Sequence, residues 1–190
     1  MNPQLLTADE RAILLRLARQ SIERAAAGHG LPEIDVKAYS PALQADGAAF
    51  VTLTADGNLR GCIGTLQAYQ PLVQDVCEHA AAAAVEDYRF SPVTPPEVAR
   101  LHIEISRLTI PTPLDYQNPA ELLAKLRPGV DGVILYDGGR RATFLPQVWE
   151  KLPDAAEFLD NLCYKMGTAP NLWRRKLLKV EVYQVEEFEE

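Results

Sequence analysis

The 190-residue chain is poor in the residues that staple small or metal-bound folds, with three cysteines, Cys62, Cys77 and Cys163, and three histidines. That is too few for a disulfide framework, and no C-x-x-C or His-x-x-x-His pair offers the ligand spacing of structural zinc. On one helix Cys77 and His79 would project about 200° apart and cannot chelate together. No metal is expected. Long apolar runs are also missing, since the longest, Ala80 to Val85, is far short of the roughly 20 residues that cross a bilayer. The opening MNPQLLTADERAILLRLARQ lacks the basic-then-apolar order of an export signal, and with so few cysteines this points to a cytoplasmic protein. Basic residues are outnumbered 19 to 26, for a net charge of −7. Nothing therefore draws the chain toward anionic lipid or nucleic acid, unless Arg174, Arg175, Lys176 and Lys179 form a local patch. Glycine-rich phosphate loops are absent as well. Gly61-x-x-Gly64 lies in a hairpin, without the strand-to-helix setting that nucleotide loops need, so no cofactor is expected.

What is present is ordinary globular material, 47% apolar and 24% charged, at a length that suits one domain spanning 1–190, or one domain with two lobes. Thr7-Ala8-Asp9-Glu10 reads as a capping box opening a helix over about 8–27, with Leu14, Leu17, Ala18 and Ile22 at helical spacing. Residues 31–43, interrupted by Pro32 and Pro41, read as an extended surface connection. Two apolar runs at 48–54 and 59–64 flank Asp56-Gly57, the strongest hairpin signal in the chain. Pro71 then opens an alanine-rich helix bearing Leu72, Val73, Val76, Ala80, Ala83 and Ala84. Leu101, Ile103 and Ile105 alternate with His102, Glu104 and Ser106, as in a half-buried strand. A short helix over 118–126, a hairpin turning at Asp137-Gly138-Gly139, a helical region after Pro146 and a last strand over 179–185 complete the order. Helices and hairpins interleave irregularly, so the expected class is α+β with a largely antiparallel sheet and flanking helices.

One thiol stands out. In an extended strand Arg60, Cys62 and Gly64 share one face, and a guanidinium beside a thiol favours the thiolate, the form that acts as nucleophile. Gly61 and Gly64 let a ligand or another backbone approach closely. The competing expectation is a buried structural cysteine beside a bulge, because free cysteines are usually buried. Glu104 is a candidate acid/base or a partner for Arg60, while alternation alone would make it one of a solvent-facing row. Asp87 and Arg89 either anchor an anionic group or form a helix-end ion pair. Arg140 and Arg141 are adjacent in a strand, so only one of them can face a site. Gln147 near a helix start and Lys165 near a helix end could each orient a polar ligand, and Lys165 also suits a helix C-terminus. Trp149 and Trp173 read as core anchors.

The segments AAFVTLTADGNLRGCIGTL, DYRFSPV, IEIS, LRPGVDGVIL, RRATFLPQVW and FLDNLCYKMG, in that order, resemble the AMMECR domain family. Its hallmark is the six-residue run found here as Leu59-Arg60-Gly61-Cys62-Ile63-Gly64. Similar bacterial and archaeal proteins are called AmmeMemoRadiSam system protein A, after genes that travel with a Memo-like protein and a radical SAM enzyme. The resemblance implies an α+β fold in two unequal lobes with the hallmark near a cleft, and it keeps Arg89 in view because the family pattern includes Asp-x-Arg-Phe. It brings no settled reaction. The leading expectation is an enzyme or enzyme component acting on a small substrate through Cys62, Arg60 and Glu104, with Gly61, Gly64, Arg89, Arg141 and Gln147 as substrate contacts. The alternative is a binding or scaffold module for the Memo-like or radical SAM partner.

Overall fold

The computed structural model describes residues 5–190; the first four residues of the segment screened for an export signal lie outside them. In chain order the described residues form α1 (Ala8–Ala26), α2 (Pro41–Gln44), β1 (Asp46–Ala55), β2 (Asn58–Gly64), β3 (Gln70–Pro71), α3 (Leu72–Val85), α4 (Pro95–Val98) and β4 (Leu101–Leu108). There follow β5 (Thr112–Pro113), α5 (Pro119–Lys125), β6 (Gly132–Asp137), β7 (Arg140–Phe144), α6 (Ala155–Lys165), α7 (Leu172–Arg175), β8 (Lys179–Tyr183) and β9 (Val185–Glu189). The class is α+β with antiparallel pairing in two sheets. The chain divides into two compact units, residues 5–109 with Glu186–Glu190, and Ile110–Val185.

In the first unit the sheet runs in the order β2-β1-β4-β9 and carries α1 and α3 on one face. The Thr7 hydroxyl accepts from the Glu10 amide while the Glu10 carboxylate accepts from the Thr7 amide, so both halves of the expected capping box start α1. Leu14, Leu17, Ala18 and Ile22 of α1, Val51 and Leu53 of β1, and Ile103 and Ile105 of β4 are buried in one core. The alanine face of α3 lets its backbone come very close to the sheet. A Cβ built on Gly61 would lie 2.1 Å from the carbonyl oxygen of Ala83, so only glycine fits where β2 crosses α3. Fully buried Asp75 pins α3 to β1 by accepting from the Ala49 amide at 2.9 Å, with His79 Nδ1 at 3.2 Å from the same carboxylate oxygen. Glu186 ties the chain's last strand in: its buried carboxylate accepts from the Leu6 amide, Arg11 Nε and Arg107 Nη1 at 2.9–3.0 Å.

Two expectations change here. Pro71 is the N-cap of α3 and pairs with Asp46 in β3, because its φ of −49° and ψ of 134° are extended. The stretch over 31–43 is not a plain surface connection: it contains a 3-10 turn at Val36–Ala38, capped by Asp35, and the short α2, which buries Leu43 completely.

In the second unit the sheet order is β5-β8-β6-β7. Phe158, Leu159, Leu162 and Cys163 of α6 are fully buried, and Trp149 stacks on Phe158 with ring centroids 3.8 Å apart. Both tryptophans are core anchors with satisfied indoles: Trp149 donates to the Asp131 carbonyl and Trp173 to the Asp160 carboxylate, each at 2.7 Å. The final alternating run ends at Tyr183, and the chain continues as β9 in the other unit's sheet.

Candidate functional site

The hairpin of β1 and β2 turns at Asp56 and Gly57 with positive φ at both residues, 51° and 78°. An unbroken two-residue hairpin starting from Ala55 opposite Asn58 would place Thr52 opposite Gly61. Instead the register shifts after the Thr54 and Leu59 pair, so Leu53 faces Gly61 and Thr52 faces Cys62. Arg60 is the extra residue of a β-bulge. Past a bulge, side-chain alternation slips by one. Gly61 therefore keeps the core side, against α3, and Cys62 is delivered to the opposite, polar side.

The same slip corrects the expected shared face of Arg60 and Cys62. Arg60 follows the bulge toward α4, where Nε and Nη2 both donate to Glu97 Oε1 at 3.3 Å, and Nη1 is buried without a partner among the described residues. Glu97 also closes the capping box of α4 by accepting from the Thr94 amide and hydroxyl. Those Thr94 contacts, with a further contribution from Arg60, hold the Glu97 carboxyl below its usual range. The guanidinium is occupied with a helix start, not with the thiol.

On the polar side Cys62 is half-buried and heads a row that crosses three strands: Cys62 on β2, Thr52 on β1 and Glu104 on β4. Thr52 Oγ1 donates to Cys62 Sγ at 3.2 Å. The neighbouring rows on this side are Gly64, Phe50 and Ser106, then Leu59, Thr54 and His102. Partial burial raises the Glu104 carboxyl above its ordinary range, and the negative charges of Glu187 and Glu189 add to the effect. Ser106 Oγ donates to Glu104 Oε1 across a long 3.5 Å.

Because β2 is an edge strand, the outward amide and carbonyl of Cys62 have no strand among the described residues to pair with. The segment after α3 supplies the substitute. Asp87 Oδ2 accepts from the Cys62 amide at 2.9 Å, and Arg89 Nη2 donates to the Cys62 carbonyl at 3.2 Å. The two side chains bind each other through Arg89 Nε and Nη2 at 2.9 and 2.6 Å. One ion pair thus closes the strand edge at the thiol-bearing residue. The Arg89 guanidinium, then the amides of Cys62 and Arg89, hold the buried Asp87 carboxyl far below the usual carboxylate range. Asp87 in turn raises Arg89, to which Cys62 makes a smaller electrostatic contribution.

The structure thus sets Cys62 and Glu104 on one row with Thr52 between them, and holds the Cys62 backbone with Asp87 and Arg89. Gly61 is filled by the Ala83 carbonyl, and a Cβ on Gly64 would lie 2.4 Å from the Ala49 carbonyl oxygen, so protein backbone occupies the space that both glycines leave. Arg141 and Gln147 belong to the second unit, where both are exposed. There Arg140 Nη1 donates to the Gly167 carbonyl and Lys165 Nζ to the Thr143 carbonyl, each at 2.9 Å. Thr52 was not visible as a partner because the turn residues announce a regular register, and no residue type announces the bulge.

Comparison with known proteins agrees over most of the chain. The AMMECR1 family model matches residues 15–188. A protein of Methanothermobacter thermautotrophicus is 38% identical over 186 residues, covering 97% of this chain and 96% of that one. Protein MJ0810 of Methanocaldococcus jannaschii is 36% identical over 194 residues, covering 98% and 93%. Among solved structures, the uncharacterized protein PH0010 of Pyrococcus horikoshii superposes with a TM-score of 0.74 at 35% identity, covering 93% of this chain and 89% of that one. With a family model matched over most of its length and relatives similar from end to end, the chain belongs to the AMMECR1 family.

Proposed function

We propose that the protein is an enzyme, or the thiol-bearing component of one, in which Cys62 attacks an electrophilic carbon of a small substrate. The observation that carries this reading is the bulged register, which sets Cys62 and Glu104 on one polar row and leaves the thiol half-buried. In the attack the sulfur–carbon bond forms as the carbon gives up an electron pair to its own oxygen or leaving group. Glu104, two strands from Cys62 along the row, takes up the thiol proton through water, and water then displaces the sulfur from the carbon, so that the sulfur–carbon bond breaks and Glu104 returns the proton to the thiolate. Arg89, paired with Asp87, holds the Cys62 backbone carbonyl, and Arg60 serves the fold. The three free cysteines support a reducing, cytoplasmic setting. The net charge of −7 supports a partner other than nucleic acid or anionic lipid, and no helix among the described residues is long and apolar enough to cross a membrane.

Iodoacetamide alkylation of the native protein, mapped by peptide mass spectrometry, tests this. Cys62 should react faster than Cys77 and Cys163, whose thiols burial pushes up, and faster than a cysteine in an unfolded peptide. A Cys62 no faster than these references overturns the reading.

A second reading is favoured by Tyr88, which is 94% exposed between the two clamp residues. On that reading the hallmark edge docks a protein of the Memo-like or radical SAM kind. Retention of such a partner on immobilised protein should then survive alkylation of Cys62 and fail in Tyr88→Ala.

A further inference from the structure

Thr52 occupies β1, which is paired on both sides, by β2 and by β4, so its backbone is the best held of the three positions in the row. A β-branched side chain on such a strand has few χ1 choices, and the hydroxyl direction is set largely by the strand itself. The thiol at the end of the row sits on an edge strand whose outward groups are held by side chains. A fixed donor therefore meets a sulfur on a less constrained strand. The contact is between Oγ1 and Sγ at 3.2 Å, with the hydroxyl as donor. Thr54, two residues along on the same face, faces Leu59 and has no sulfur to serve. A hydrogen bond donated to sulfur gains strength as negative charge gathers there, whereas a valine of the same shape offers nothing to that charge.

We infer that Thr52 is the positioning residue of Cys62, its hydroxyl directing the sulfur along the polar row and stabilising the charge that the sulfur carries as it reacts. The inference rests on the reading of Cys62 as the reacting thiol and deepens it, since Thr52 acts through the sulfur and needs no contact with substrate. It also assigns the bulge a purpose. Without the slip at Arg60, Thr52 would face a glycine and no hydroxyl of β1 would lie opposite the thiol.

The test is the rate of Cys62 alkylation by iodoacetamide, in which the sulfur–carbon bond forms, iodide leaves and the thiol proton goes to solvent. Rates are followed between about pH 6 and pH 9, spanning ordinary thiol titration, in the wild type, Thr52→Val, Thr52→Ser and Thr54→Val. Thr52→Val should slow Cys62 by about 3- to 10-fold at neutral pH, the worth of one hydrogen bond, with the gap narrowing at the alkaline end. Thr52→Ser keeps the donor and should stay within about twofold of wild type, as should Thr54→Val, which leaves the donor in place. The inference is overturned if Thr52→Val follows the wild-type profile throughout, or if Thr52→Ser is as slow as Thr52→Val. Should Thr52→Val fail to fold, Thr52→Ala read against Thr52→Ser makes the same comparison. A wild-type Cys62 no faster than Cys77 and Cys163 would instead sink the thiol reading itself, so the two failures are distinct.

Discussion

The molecule contains two hairpins with near-identical turn chemistry and different outcomes. β6 and β7 turn at Gly138-Gly139, and their register stays regular from Asp137 opposite Arg140 to Val133 opposite Phe144. Neighbouring Arg140 and Arg141 occupy successive positions of that regular ladder, as alternation expects. β1 and β2 turn at Asp56-Gly57, yet after two residue pairs the register slips at Arg60. The regular hairpin belongs to a unit with 9 acidic and 10 basic residues and a core of stacked aromatics. The slipped one belongs to a unit with 17 acidic and 9 basic residues, whose core is aliphatic and alanine-rich. The difference lies in what packs behind the strand. Behind β2 the backbone of α3 comes within reach of Gly61, and the slip aligns that glycine with the helix while sending Cys62 the other way.

The largest test of this contrast is Gly61→Ala against Gly139→Ala. A methyl group on Gly61 meets the Ala83 carbonyl, and should destabilise by about 3 kcal/mol or more, or prevent folding. Gly139 has open space around it, and its alanine variant should stay within about 0.5 kcal/mol in denaturant melts. Equal losses would remove close helix packing as the cause of the slip.

Breaking the edge clamp comes next. Asp87→Ala strands the Cys62 amide and should lower stability by about 1–3 kcal/mol at neutral pH. The folded Asp87 carboxyl is depressed, so its contribution is fully present above the unfolded value of about 3.9 and is lost as pH falls toward the folded one. Wild type and Asp87→Asn should therefore differ by a constant amount above about pH 5 and converge in acid. A gap that widens in acid contradicts the clamp.

Arg60→Ala sharpens the comparison more finely. It should lower stability by about 1 kcal/mol through lost packing of the largely buried side chain, while Cys62 alkylation changes by less than about twofold. A large drop in alkylation would return Arg60 to the thiol. The smallest effect is expected for Arg141→Ala, an exposed position on the regular hairpin, within about 0.5 kcal/mol in the same melts.

Much of the fold was legible. The capping box at Thr7 and Glu10, the positive-φ turn at Asp56-Gly57, the alternation of Leu101, Ile103 and Ile105, and the buried stripe of α1 are local patterns, and each formed as read. Cys62 was singled out by Arg60, expected on its face, and by its glycine neighbours, and the clamp pair Asp87 and Arg89 by its place after α3. What could not be read was the pairing. Arg60 seemed to share the thiol's face because alternation counts residues along one strand, whereas a bulge is decided by two strands and the helix behind them. Thr52 was hidden for the same reason. The break at Gln184, which sends β9 to the other unit's sheet, follows from the buried Glu186 carboxylate and its partners from α1 and β4, a long-range arrangement with no local trace.

The amino-acid sequence by itself determined the elements, their inward faces and the family, because capping, turn chemistry and periodic burial act over a few residues. Only the tertiary structure decided which side of the sheet the thiol occupies and which groups meet it. That choice depends on a one-residue slip, made where the α3 backbone leaves no room for any side chain on β2.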